Sequence, residues 1–448
     1  MKTKYRVILI ALFLVGFLPF KTTPENYNSW LYYRNVNLNT KNSGAKVTTN
    51  QLNFPVLLRL KDGTNFTFSQ ADSSGKDIRF SKINGNHLYY QLERWCKSCS
   101  PKVAEIWVKV DTVYGSDSLH PFRMYWGKAG APDSSKPSTV FSNSNGFSNV
   151  FHLAEDTGIF SDATGMDTAY RATANVKTVP AIIGNGFFTD SSSFRSGVRA
   201  QPMPTLYNFT FSAWTSIKTA KAGEDVFGNY DWVNKGVDQE FTTPTNALQN
   251  FFGNGTNTGY GWHASYYSLN TWFYHTATYD TSNGVLSTFY NGVYKFADTL
   301  ASGGKGKLPF TYTYTEFANN HADDTTDEIR LDNIKRPADW IKLNYESQQL
   351  KDSLVSYGST TAGTMKVSTL VPYYVRRTKT SNITGKYLVT GYYAKVNSLW
   401  DSLYCSTDST CILLTRAGNP YGKDTLKLYN GSNHVDTFIY IKSGGVFW

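Results

Sequence analysis

Residues 271–292 (TWFYHTATYDTSNGVLSTFYNG) constrain the fold more than any other stretch of the chain. Alternation runs from Trp272 through Thr278-Tyr279-Asp280, and a second short run ends in Phe289-Tyr290-Asn291-Gly292. Asn-Gly between two apolar runs is a strong hairpin signal, because both central positions of the tight turn need φ > 0. The stretch therefore reads as strand, loop, strand, Asn-Gly turn, and a third strand from Val293.

The composition agrees with sheet. The chain is rich in Tyr, Phe, Trp, Thr, Ser, Asn and Gly and poor in Met. Such a mixture suits β-sandwiches with polar faces and turn-rich loops. A length of 448 residues leads us to expect two to four domains. The formal net charge of +10 includes Lys2, Lys4, Arg6 and Lys21 near the start. The remaining excess is spread out, apart from Arg376-Arg377-Thr378-Lys379, which reads as a solvated face. No nucleic-acid partner is expected.

Lys2, Lys4 and Arg6 precede an apolar run over residues 7–20, broken only by Gly16 and Pro19. That is too short to span a bilayer and fits a secretory signal over residues 1–23, with an uncleaved anchor as the alternative. No cysteine follows it for a lipoprotein anchor. The expected location is secreted or cell-surface in a bacterium, with no membrane span after signal removal. Export permits disulfides, and the four cysteines fall into two local pairs, Cys96 with Cys99 and Cys405 with Cys411. Cys96-Lys97-Ser98-Cys99 lies between two strand-like runs, which argues for a stapled turn against a redox motif at a helix start.

Residues 24–142 hold short runs at regular spacing: 54–60 (FPVLLRL), 77–80 (DIRF), 88–92 (LYYQL), 106–110 (IWVKV) and 122–126 (FRMYW). Strands about ten residues apart, with Gly, Asn and Asp between them, indicate an antiparallel sandwich. In their order and spacing these motifs resemble a domain of unknown function found in exported bacterial proteins, commonly ahead of a laminin-G-like domain. That resemblance brings no activity with it. Trp95, Trp107 and Trp126 are read as packing residues.

Residues 143–358 open with Phe151-His152-Leu153-Ala154-Glu155-Asp156 and the Asp162-Ala163-Thr164-Gly165 turn. They continue with the run FTFSAW at 209–214, the 271–292 hairpin, DEIRLD at 327–332 and ADWIKLNYESQ at 338–348. Together these resemble laminin-G-like (concanavalin-A-like) jelly-roll domains. The resemblance implies a short helix at 338–348, with Pro337 at its first position, and a closing strand at 353–358. His275 is expected to be tolerated in the sheet and not catalytic. Residues 358–364 read as a small-residue linker. Residues 359–448 form an accessory β-module, with strands expected at 387–395, 412–416, 425–429 and 437–442. The expected fold is therefore all-β: two or three antiparallel sandwiches in series, the middle one a concanavalin-A-like jelly roll.

Three functions compete. Glycoside hydrolysis needs two carboxylates on one cleft face, which on a strand means acids at alternate positions. No run of the form E-x-D-x-E or E-x-D-x-x-E occurs, and Glu328 and Asp332 lie four apart with Arg330 between them. A structural or adhesive role, binding another surface protein, is the second. The expected function is non-catalytic binding of a polysaccharide or glycan, so the chain is not expected to be an enzyme. Sugar sites combine exposed rings with polar partners. Two loops have that composition, 228–234 with Tyr230 and Trp232, and 254–267 with Tyr260, Trp262 and Tyr266. Each ring has an alternative place, packed inside the sandwich. A structural calcium ion is a further expectation, with Asp162, Asp327 and Glu155 as ligands, against the reading of both aspartates as turn caps.

Overall fold

The computed structural model describes residues 25–171, 176–189, 198–200, 205–219, 224–228, 231, 233–309, 315–319, 323–351 and 353–362. Beyond these it describes the backbone of 366–371, 380–386, 393–396, 399–407, 410–414, 422–430 and 433–442. Residues 1–23, read above as a secretory signal, lie outside the described residues. No helix among the described residues is long and apolar enough to cross a membrane.

The apolar run at 54–60 forms the strand Gln51–Lys61, paired antiparallel along its length with Val103–Val113, which pairs in turn with Tyr90–Cys96. Phe54, Val56, Leu57 and Leu58 are all fully buried. A strand this continuously apolar needs cover on both faces. One cover is the sheet in which Tyr32–Leu38, Phe122–Trp126, Arg79–Lys82 and His87–Leu88 lie side by side. The other is the helix Ala338–Gln348, where Phe54 meets Trp340 edge-on at 4.8 Å and Ser347 Oγ accepts from the Leu57 amide at 2.9 Å. Pro337 is the cap residue, one position before the helix. Cys96 and Cys99 are disulfide-bonded, and Trp107 and Trp126 are fully buried, as expected.

The next region is a sandwich of two sheets. The near sheet runs Lys177–Pro180, Asn185–Thr189, Asp323–Asp332, Phe209–Thr219, Phe273–Asp280, Val285–Tyr290, Val293–Thr299, with Phe147–Phe151 beside Asp323–Asp332. Its Asn291 and Gly292 have φ of 50° and 73°, the left-handed pair that the hairpin reading requires. The far sheet runs Thr258–His263, Ala247–Asn254, Lys235–Thr242, Glu224–Gly228, Thr315–Asn319, Val198–Ala200, Thr168–Arg171, Ile159–Ser161. Between the sheets lies an aromatic core that includes Phe209, Phe211, Phe227, Phe317 and Tyr279. The rings of Phe211 and Phe227 stack at 4.5 Å.

The near sheet's other face is not solvated. Trp214 and Tyr274 belong to the same buried cluster as the first sandwich and Trp340. The helix is the filling between them: Trp214 Nε1 donates to Gln348 Oε1 at 2.9 Å and Asn344 Nδ2 to the Tyr274 hydroxyl at 2.6 Å.

The segment expected to close the second sandwich does not do so. Val355–Tyr357 pairs with Tyr32–Leu38 of the first domain, and Thr361–Ala362 pairs with the same strand further along. Nor is the stretch after it a free linker, since Gly358 donates to Asn35 O at 2.9 Å and Arg34 donates to Thr360 Oγ1 at 2.8 Å. The helix returns the chain beside an edge strand whose free backbone groups need partners, and these residues supply them. The last strands form a separate sheet in the order Lys366–Val371, Thr380–Lys386, Thr410–Leu414, Leu399–Thr407, Tyr393–Val396, Gly422–Asn430, Asn433–Lys442. Its backbone register sets Cys405 opposite Cys411. The expected strand residues 387–392 lie outside the described residues.

Candidate functional site

The edge strand Thr258–His263 (TGYGWH) alternates glycine with aromatic residues. A Cβ on Gly259 would stand 2.2 Å from the Phe252 ring, and one on Gly261 would stand 2.1 Å from Asp298 Oδ2. The inward positions therefore have no room for a side chain. The rings take the outward positions: Tyr260 is 57% exposed and Trp262 is 45% exposed. Half of the 254–267 segment is thus strand where a loop was expected, and the rings of Tyr260 and Trp262 are fixed by sheet geometry.

Register carries the site across the far sheet. Tyr260 pairs with Phe251, Phe251 with Asp238, Asp238 with Gly228, Gly228 with Glu316, Glu316 with Arg199, and Arg199 with Tyr170. A parallel row sets Trp262 beside Gln249 and Gln249 beside Glu240. Directly paired residues share a face. One face therefore lines up two exposed rings, then Gln249 and Phe251, then two buried carboxylates, then an ion pair. The Phe251 and Tyr260 ring centroids are 5.1 Å apart, and Gln249 Nε2 donates to the Tyr260 hydroxyl at 3.4 Å. Gly228 makes room for the Asp238 carboxylate, whose Oδ1 would lie 2.6 Å from a Cβ there. Arg199 holds Glu316 at 2.8 Å.

Asp238 and Glu240 are both buried. Burial pushes the Glu240 carboxyl up from 4.5 to about 7. The folded state then binds more protons than the unfolded chain between those values. Its contribution to stability is complete below the lower value and is lost as pH rises through the window. A thermal melt series should show Tm falling by a few degrees from about pH 5 to about pH 7.5. In Glu240→Gln that slope should flatten, and an unchanged slope would mean that the carboxyl titrates normally.

Of the other expected ligand residues, Tyr266 is in the core. Its hydroxyl contacts His275 Nδ1 at 2.7 Å and donates to Phe289 O at 3.0 Å. An aromatic ring with a polar tip stays buried when that tip is satisfied. His275 is fully buried, with Gln239 Oε1 at 3.1 Å from its Nε2, and burial pushes it down to about 3, so it is a neutral structural imidazole. Tyr230 and Trp232 lie outside the described residues.

The three expected calcium ligands are not brought together. Asp162 accepts from the amides of Val150 at 2.8 Å and Thr164 at 2.9 Å, which is turn-capping geometry. Asp327 Oδ2 accepts from the Ile183 amide at 2.8 Å, and Glu155 Oε1 from the Ser161 amide at 2.9 Å. The group of three ligating side chains that the structure does assemble, among the described residues, is Glu93, His152 and Glu328. Neither it nor the Asp238–Glu240 pair was singled out from sequence. The second had a visible signal: Asp238-Gln239-Glu240 sets two acids at alternate positions, and a search for three-acid patterns passes over it.

Residues 74–155 match a family described as a domain of unknown function, DUF2341. The match ends beyond the first sandwich and takes in Phe147–Phe151 of the near sheet. No curated protein matches the chain. Among solved structures, domain 4 of AbnA, an extracellular arabinanase from Geobacillus stearothermophilus, in complex with arabinotriose, is 13% identical with a TM-score of 0.36. The alignment covers 46% of this chain and 98% of that one. The botulinum neurotoxin serotype D ligand-binding domain, in complex with N-acetylneuraminic acid, is 13% identical with a TM-score of 0.38, over 68% and 79% of the two chains. The binding domain of Paraclostridial Mosquitocidal Protein 1 is 10% identical with a TM-score of 0.38, over 65% and 77%. Likeness at this level extends to neither ligand nor site.

Proposed function

We propose that the chain is a non-catalytic glycan-binding protein acting outside the cell, and that its ligand lies on the far-sheet face beside Tyr260 and Trp262. The observation that carries this reading is the pair of exposed rings, held outward by inward glycines, in register with Gln249 and Glu240 and with Phe251 and Asp238. Rings cover the C–H faces of a sugar, and carboxylates and amides take its hydroxyls. The first twenty residues support export, and the strand and helix motifs support a laminin-G-like sandwich as the carrier.

One observation favours a second reading. Asp238 and Glu240 are alternate residues on one strand, and a carboxyl that holds its proton near neutrality is suited to general acid work. The two readings separate in one assay. Full-length protein is incubated with a panel of bacterial and plant polysaccharides, and both retention and newly released reducing ends are measured. Binding without release supports the proposal, release supports hydrolysis, and neither retention nor release with any of the panel overturns both. Binding to a surface protein in place of sugar would appear as that last outcome.

A further inference from the structure

The first domain and the second sandwich meet at a buried polar cluster. Glu93 comes from Tyr90–Cys96 of the first domain. His152 follows Phe147–Phe151, and Glu328 lies within Asp323–Asp332. Glu328 has φ of 54°, and at this point two residues, Glu328 and Ile329, oppose the single Ala213 on Phe209–Thr219. That is a β-bulge, which re-aims a side chain out of the normal alternation. Here it turns the carboxylate toward the first domain. Glu328 Oε1 lies 2.6 Å from His152 Nδ1, and Glu93 Oε2 lies 3.4 Å from the same nitrogen.

We infer that Glu93, His152 and Glu328 form a site for a divalent transition ion of the zinc type, which clamps the first domain to the second sandwich. This goes beyond the glycan reading and does not rest on it.

Four features support the assignment. The donor set is one imidazole nitrogen and two carboxylates, all within 4.8 Å of one another, which suits a borderline ion of low coordination number better than calcium with its six to eight oxygens. His152 Nε2 faces Gln91 Oε1 at 3.2 Å; that oxygen only accepts, so Nε2 keeps a proton, and Nδ1 is the nitrogen that would ligate once the proton it shares with Glu328 has left. The Glu93 side chain is 3% exposed, yet its Oε1 has no hydrogen-bond partner. Its Oε2 accepts from Trp107 Nε1, which orients the carboxylate into the cluster. Arg330 donates to Glu328 Oε2 at 2.7 Å and leaves Oε1 toward the histidine.

Distances show what the ion would change. Zinc–ligand bonds of about 2.0–2.1 Å in a tetrahedron place ligand atoms about 3.3 Å apart. The Glu93–His152 separation already fits. The Glu328–His152 contact is a hydrogen bond and must open to that length, losing its proton. Uptake therefore forms bonds to Nδ1 and to one oxygen of each carboxylate, and releases protons to solvent.

The test uses the untagged full-length chain, stripped with chelator and dialysed against zinc ion alone. The expected result is one tightly held zinc per chain, proton release on titration in weak buffer, and a raised Tm. X-ray absorption of the loaded wild type should show a nitrogen/oxygen shell with a single imidazole. Glu93→Gln keeps an acceptor for Trp107 and should bind zinc at least tenfold more weakly while its unloaded form melts cooperatively. Absence of zinc uptake by the wild type overturns the proposal, as does a ligand shell lacking imidazole or undiminished uptake by a folded Glu93→Gln.

Discussion

Replacing Glu328 with alanine is expected to destabilise the chain by about 3–5 kcal/mol, because it leaves the buried Arg330 guanidinium without its counter-charge and takes from His152 the shorter of its two carboxylate contacts. Arg330 is 1% exposed and His152 is 7% exposed, and Glu328 is the carboxylate that touches both. Arg330 cannot shed its proton to relieve the loss. Its guanidinium also lies over the Trp107 ring at 4.4 Å and donates to Asn344 Oδ1 at 3.0 Å, so it is pinned where it stands. For a unit of this size the loss corresponds to a fall in Tm on the order of 10 °C. Glu328→Gln keeps the shape and an acceptor but not the charge, and should fall between wild type and Glu328→Ala. Denaturant melts of the three proteins check this. A loss below about 1 kcal/mol for Glu328→Ala would show that the cluster carries little of the energy joining the two units.

That cluster also marks where sequence reading stops. Strands were legible because alternation, turn residues and aromatic enrichment are local. The Asn291-Gly292 turn, the Phe209–Thr219 strand and the helix at 338–348 all stand where the sequence placed them. Simple alternation put Glu328 and Asp332 on one face, with Arg330 between them, and gave no reason to pair either with the first domain. The bulge at Glu328 adds one residue to the count, which changes the face of every residue beyond it. No local pattern announces that, and none brings Glu93 to His152. Val355–Tyr357 failed for a related reason: a short strand carries no record of which sheet has a vacant edge.

The far-sheet face was half legible. Rings among glycines marked the 254–267 segment, and two of its three named rings, Tyr260 and Trp262, are exposed. Tyr266 belongs to the same composition but lies past the end of the edge strand, where the chain turns back into the core. Asp238 and Glu240 were hidden by Gln239 between them. A polar residue at the inward position makes the strand look unpatterned. Gln239 is nonetheless a core residue, because Asn250 and His275 satisfy its amide inside the sandwich.

Removing the two exposed rings should abolish most of the affinity for whichever polysaccharide the wild type retains. Tyr260 and Trp262 are alternate residues on one strand, so their side chains stand about 7 Å apart on one face. Two rings at that spacing address one extended ligand together. Covering each ring with apolar sugar surface contributes about 1–2 kcal/mol, by analogy with buried aromatic contacts. Trp262→Ala alone should weaken binding about tenfold, and Tyr260→Ala/Trp262→Ala about a hundredfold. The rings touch little of the core, so the double variant should melt within about 1 kcal/mol of the wild type. That combination of lost affinity and kept stability distinguishes a binding surface from an ordinary sheet edge. Affinity electrophoresis of the double variant against the wild type reads the first quantity, and a denaturant melt reads the second. Undiminished retention by a folded double variant would move the ligand off this face, and would leave Asp238 and Glu240 without their aromatic partners in any account of sugar binding.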